Sequence, residues 1–403
     1  MKLSTISAAL DAKTTIWLAT NRDTGMTGTF EINPTLSFTL LGSCALYAVS
    51  RPTRAAWASV AAITVLMRYA VVRLRGGVGS YYGAWWITWG AFLGLASIAV
   101  LAAQDMRAHA RGDASRHRLL RETFFAACVF PVLTLVVGDA LRFIAWIDPK
   151  TLDAYLLKFD GSLGFQAGFL LGKLLDSTPE LWGPTTVVYY SLPLGVSILY
   201  ASYLKAARAG VRTRVSILQL FLSVIALGTC IYAFFPATGP AHSYPDLYPW
   251  HSPLLSQIVL EVRSGGDALR NCMPSLHFAG ALAILWNAGL WPRWGRMLAY
   301  MFVLATAFAT LALGEHYLVD LVVALPFTLF LQAAWTVKVP ARERRRFIAL
   351  FGGAILTIAW LVALRYGLEV FLVSPLIPWI ATIATIGWCW FAKYDLDSVA
   401  QRF

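Results

Sequence analysis

The chain has 403 residues, of which 58% are apolar and only 13% charged, where a soluble domain carries about a quarter charged. One soluble core cannot hide so many apolar side chains, so the composition excludes an ordinary soluble enzyme and calls for lipid. The net charge of +12 does not point to nucleic acid: Arg and Lys stand in short clusters between apolar runs, as in cytoplasmic loops of membrane proteins, and no basic stripe with interleaved aromatics occurs, so no nucleic-acid partner is expected.

The first 30 residues lack the basic start and continuous apolar core of a signal peptide, and no cleaved targeting segment is expected. About eleven apolar runs follow, at 35–50, 55–73, 82–104, 121–146, 181–204, 215–236, 274–291, 297–314, 317–337, 347–366 and 370–392. They are longer than barrel strands and do not alternate, so the expected fold class is all-α, a polytopic transmembrane helix bundle. The runs divide into an N-terminal transmembrane extension (1–120), a six-span catalytic core (121–337) and a two-span C-terminal extension (338–403). Segment 161–176 is too short to span and reads equally as an amphipathic helix on the membrane surface or a packed connector. No fixed-period repeat is present.

Loop charges orient the bundle. Arg107, Arg111, Arg116, Arg118 and Arg121, then Lys205, Arg208, Arg212 and Arg214, then Arg293 and Arg296, then Lys338, Arg342, Arg344, Arg345 and Arg346 fall in alternate loops. These loops are expected in the cytoplasm, and the intervening 147–180 and 237–273 loops on the other side. The first three runs do not fit one orientation, because an outside N-terminus also places Arg73 and Arg75 outside. Cys44, Cys128, Cys230, Cys272 and Cys389 are scattered, odd in number and form no CxxC, so neither a disulfide framework nor a zinc site is expected.

Chemistry concentrates between 232 and 320. One run ends in Phe235-Pro236-Ala237-Thr238-Gly239-Pro240, the next opens with Met273-Pro274-Ser275-Leu276-His277, and a third opens with Glu315-His316-Tyr317-Leu318-Val319-Asp320. All three fall at the non-cytoplasmic ends of runs and can meet in one plane. Pro274 suits a first helical turn, and Ser275 with the free N–H groups of that turn makes an anion-binding end. His277 lies one turn in. His316 and Asp320, four apart, share a helix face, so the carboxylate can fix one imidazole nitrogen and leave the other as nucleophile. A histidine at a span end is often merely hydrated, and neither PSxH nor HxxxD is specific alone; their joint occurrence on consecutive ends is. A transporter would place such groups near the midplane among repeats and broken helices, whereas these cluster at one end.

Pro274-Ser275-Leu276-His277 followed by His316-Tyr317-Leu318-Val319-Asp320 resembles the type 2 phosphatidic acid phosphatase superfamily of lipid phosphatases and phosphotransferases. The Leu276 variant, the Pro236–Pro240 loop and the His316–Asp320 run most resemble its inositol phosphorylceramide synthase branch. The resemblance covers about 130–335, with the specific motifs in 235–320. It implies His316 as a nucleophile forming a phosphohistidine, Asp320 as its orienter, His277 as the acid that protonates the leaving group, and Ser275 on a phosphate oxygen. The superfamily's first motif, a Lys and a later Arg-Pro, is not found, and Thr310 stands where an Arg usually precedes the nucleophile. Two residues are candidates for the phosphate's positive partner: Arg142, otherwise an ion pair with Asp139, and Arg270, otherwise a solvated loop charge. His242 and His251 read as solvated loop residues, and Glu315 has no assigned role.

The expected function is an integral membrane phosphotransferase acting on lipid phosphoester headgroups, with a lipid phosphate or diphosphate phosphatase as the alternative. Histidines and oriented dipoles supply the charge stabilisation, so neither metal nor cofactor is expected. The expected partner is a lipid drawn from the bilayer, and the acceptor is left open between a polar alcohol and water.

Overall fold

The computed structural model describes residues 29–30, 33–75, 77–78, 85–266 and 268–402. The expectation for the leader falls almost wholly outside the described residues. The described residues are mostly helical, at 77%. Among the described residues, extended structure is confined to two short ladders: Thr29–Phe30 (β1) parallel to Gly77–Val78 (β2), and Lys150–Thr151 (β3) antiparallel to Arg263–Ser264 (β4). The helices are Pro34–Ala48 (α1), Arg54–Arg75 (α2), Trp85–Ala110 (α3), Ala114–Ile147 (α4), Asp153–Ser162 (α5), Ala167–Ser177 (α6), Trp182–Tyr190 (α7), Leu192–Arg208 (α8), Ile217–Phe234 (α9), Pro240–Ser243 (α10), Leu276–Asn287 (α11), Arg293–Ala312 (α12), Leu318–Ala334 (α13), Arg344–Tyr366 (α14), Glu369–Leu372 (α15) and Leu376–Ala400 (α16).

Seven of these, α2, α3, α4, α9, α12, α14 and α16, are long and apolar enough to cross a membrane, which fits an integral membrane protein. The turn Pro179–Leu181 with α7 meets α8 at a bend of 47°, making an eighth crossing if the pair is one broken span. α11 and α13 are apolar but shorter, and α1 has 15 residues. Each of the eleven runs therefore holds a helix, while length and composition support seven or eight crossings. The segment 161–176 divides between the end of α5 and α6. α6 packs on α12, burying Phe169 and Leu175 while Leu170 and Leu174 stay exposed.

Local chemistry starts and joins the helices. Asn33 caps α1 by accepting from Thr35 N at 2.9 Å, with Pro34 in the first helical position. Asp113 caps α4 through Arg116 N at 3.0 Å. α1 packs on α3, α4 and α8; α11 touches α8, α12 and α13; and α13 lies along α14. At that last crossing a Cβ on Gly353 would fall 2.8 Å from Phe330 N and 2.9 Å from Pro326 O, so the two backbones touch, as small residues permit between membrane helices. Far along α11 from its start, Asn287 and Gln332 of α13 exchange buried amide hydrogen bonds of 2.8 and 3.1 Å. Arg346, beside these ends, donates to the carbonyls of Ala333 at 2.9 Å, Ala334 at 2.8 Å and Val339, satisfying the last turn of α13.

Candidate active site

Three segments come together at one end of the bundle: 235–243, 272–278 and 313–320. Backbone hydrogen bonds knit them, from Cys272 N to Ala237 O (3.2 Å), Ser275 N to Asp320 O (3.2 Å) and Ala241 N to Gly314 O (3.0 Å). Gly239 sits at φ 92°, and a Cβ there would come within 2.5 Å of Glu315 O. Both the left-handed backbone and the close approach therefore require glycine.

Two helix starts differ from the sequence expectation. α11 begins at Leu276 with Ser275 as its N-cap, whose Oγ accepts from Phe278 N at 3.3 Å; Pro274 precedes the cap rather than occupying the first turn. α13 begins at Leu318 with Tyr317 as N-cap, so His316 lies just before the helix. Asp320 stands in the first turn and accepts from Tyr317 N at 2.7 Å. His316 and Asp320 meet nonetheless, with Nδ1 3.4 Å from Oδ2.

The tighter partner of His316 Nδ1 is the Cys272 carbonyl at 2.8 Å. A carbonyl can only accept, so Nδ1 carries a proton, and in the neutral ring Nε2 holds the lone pair. His316 is fully buried, and its Nε2 has no hydrogen-bond partner among the described residues; Asp320 Oδ1 is likewise unpaired. The His277 ring lies 6.2 Å from the His316 ring, centroid to centroid, and stacks on Tyr189 of α7 at 4.0 Å. An unpartnered, oriented imidazole nitrogen thus stands near a second imidazole that is held in place by packing. Such a pair can form a bond to an electrophilic centre and pass a proton to or from the group that leaves.

Several supporting residues were not legible in the sequence. Cys272 gives Asp320 Oδ2 a thiol hydrogen bond at 2.8 Å as well as giving His316 its carbonyl. Burial, and Asp320 beside it, push this thiol well above its ordinary range, so it stays protonated and donates. Asp153, at the start of α5 and fully buried, accepts from Thr238 N, Gly239 N at 2.9 Å and the Tyr317 hydroxyl at 3.0 Å. Asp160, two turns on, accepts from Leu318 N at 2.7 Å and Val319 N at 3.1 Å, capping α13. One short helix thereby clamps two motifs, through partners 85 to 164 residues apart. The one signal in the sequence was their place among the five acids of the 147–180 loop.

The charged candidates sit differently. Arg270 is fully buried and donates to the carbonyls of Asp148, Pro149, Gly265, Gly266 and Ala268. Its guanidinium binds the loop around β3 and β4 and is not solvated. Arg142 is exposed and pairs with Asp139 at 2.7 Å. Ser275 is buried with its oxygen engaged in the cap. Thr310 is buried, its carbonyl accepting from Glu315 N and His316 N. His251 is exposed. His242, by contrast, is half-buried, with Nε2 3.5 Å from Glu315 Oε1. Burial pulls the His242 titration down, but Glu315 outweighs it and the net shift is upward; His242 in turn holds Glu315 below its usual range despite burial.

Cys272, His316 and Asp320 bring a sulfur, a nitrogen and an oxygen within 4.8 Å of one another, a donor set that suits zinc. The thiol proton lies in a hydrogen bond inside this cluster, and a metal bound through the sulfur must displace it.

Residues 154–334 match the PAP2 superfamily. No curated protein and no solved structure gives a match. A PAP2 superfamily domain implies a phosphatase or phosphotransferase enzyme, and together with the membrane-length helices it suggests one that acts on lipids.

Proposed function

We propose that this chain, with its PAP2 superfamily domain over residues 154–334, is an integral membrane phosphotransferase. Its donors are lipid phosphoester headgroups, and it resembles the inositol phosphorylceramide synthases in its Pro236–Pro240 loop and His316–Asp320 run. The observation that carries the reading is the unpaired His316 Nε2, its tautomer set by the Cys272 carbonyl, with the His277 ring 6.2 Å away. In the first step Nε2 attacks phosphorus, the P–O bond to the leaving group breaks, and that oxygen takes a proton from His277. In the second, an acceptor hydroxyl gives its proton to His277 and attacks phosphorus as the P–N bond breaks. Asp320 steadies the positive charge that His316 gains in between. The alternation of basic loops supports placing this chemistry away from the cytoplasm.

Hydrolysis, as a lipid phosphate or diphosphate phosphatase, is the second reading. It is favoured by the partial solvent exposure of His242 and Glu315 beside the nucleophile, since water that reaches them can serve as acceptor. Incubating purified protein with radiolabelled phospholipid, with and without alcohol acceptors, decides between the two. A new labelled lipid that depends on the alcohol means transfer; free phosphate means hydrolysis; neither product in wild-type protein ends the proposal.

A further inference from the structure

A phosphoryl group passing between two imidazoles needs a positive hydrogen-bond donor for its nonbridging oxygens, and neither arginine raised by the sequence supplies one. Arg270 is spent on five carbonyls, Arg142 pairs with Asp139 on an exposed helix face, and Thr310 stands where an arginine precedes the nucleophile in the resemblance. We propose that His242, held by Glu315, is that donor: an imidazolium standing in for the absent guanidinium. The proposal rests on reading His316 as the phosphoryl acceptor.

Placement supports it. His242 belongs to α10, the turn that follows Gly239. The loop before it is pinned by Asp153 through Thr238 N and Gly239 N, and Ala241 N hydrogen-bonds Gly314 O at 3.0 Å, laying α10 against the 313–316 turn. Pro240 and the His316 carbonyl both approach Gly168 of α6, at 3.6 and 3.7 Å from a Cβ built there, so the two segments share one wall. Glu315, next to the nucleophile in sequence, reaches His242 at 3.5 Å and also acts electrostatically on His316 and on His277 of α11. His242, Glu315 and His277 are all partly open, whereas His316 and Asp320 are closed. An arriving oxyanion therefore meets the edge formed by His242, Glu315 and His277 before it reaches His316.

A carboxylate beside a phosphate site looks unfavourable. Its effect is to keep an imidazole charged where burial alone would neutralise it. Among the described residues, the charged groups acting on His242 include Glu315 from the 313–316 turn and Asp153 from α5. Those facing Glu315 are His242, His316 and His277, with Tyr189 and Tyr248 nearby. Positive charge at His242 is therefore present at low pH and lost as pH rises through its elevated titration.

Tungstate, a tetrahedral oxyanion that keeps its double charge between about pH 6 and about pH 9, is the probe, its binding to the full-length purified protein measured by calorimetry across that range. Wild-type affinity should fall about tenfold or more as pH rises, the worth of one hydrogen bond from a charged donor. His242→Gln should bind weakly at both ends, His242→Lys tightly at both, and Glu315→Gln should lose affinity at lower pH than wild type. Undiminished affinity or pH dependence in His242→Gln overturns the proposal, and so does weak binding in both His242 variants. Binding requires no covalent step. A wild type that binds tungstate in this pattern but never carries phosphate on His316 retires the phosphohistidine reading and leaves the His242 assignment standing.

Discussion

At the scale of single residues, the two imidazoles at the site are not equivalent. His316 Nδ1 is committed to Cys272 O and faces Asp320, leaving Nε2 as the nucleophilic edge, whereas His277 is held by stacking on Tyr189. On the proposed mechanism, removing the nucleophile would remove the covalent intermediate, and removing the acid would hurt least when the leaving group is already good. General-acid help is worth about 10²–10⁴-fold. An activated aryl phosphate should therefore partly rescue His277→Ala and leave His316→Ala inactive, as read by turnover of lipid and aryl esters after folding is checked. The reverse rescue pattern would exchange the two roles. Cys272 offers a finer test. Cys272→Ser keeps a donor to Asp320 Oδ2 and should stay within a few-fold of wild type, while Cys272→Val should lower kcat by about tenfold, the worth of one hydrogen bond to a charged group. Equal activity in the two variants would show that the thiol contributes nothing to the Asp320 environment.

Among the elements, α5 matters most to the site, although it lies in none of the motifs. Asp153→Ala leaves Thr238 N, Gly239 N and the Tyr317 hydroxyl without their shared acceptor, and should cost about 2–3 kcal/mol of stability together with most activity. Thermal unfolding in detergent with a parallel activity assay checks this, and wild-type values on both would mean that the clamp is dispensable. The helices themselves were legible because long apolar runs leave the chain few alternatives in lipid. Their first residues were not. HxxxD spacing reads as one helix face, yet His316 precedes the Tyr317 cap, and its position depends on Thr310 O, Cys272 O and a helix more than 150 residues earlier in the chain. The same limit hid Arg270: a lone basic residue in a polar loop looks solvated until the fold shows five carbonyls turned toward it. Cys272 looked inert for the same reason, since its partner Asp320 is 48 residues away.

For the whole molecule, seven or eight helices of membrane-crossing length separate the basic loops from the end that gathers the three motifs. The alternating charges lead us to expect the 105–121 and 338–346 loops in the cytoplasm and the 237–273 loop outside it. Single cysteines placed at Arg342 and Asp246, in a background where labelling of the native thiols is accounted for, can be probed on intact cells with an impermeant reagent. Labelling at 246 and not at 342 is the expected outcome; the opposite pattern would put the site on the cytoplasmic face. The central claim, that His316 carries phosphate between donor and acceptor, has its own direct test. Wild-type protein is mixed with phospholipid radiolabelled in the phosphate, without acceptor, and quenched within one turnover. The account expects label on the protein through a bond stable in alkali and labile in acid, mapped to His316, absent in His316→Ala and discharged when acceptor is added. Turnover with no labelled protein at any time, or label retained in His316→Ala, would contradict it.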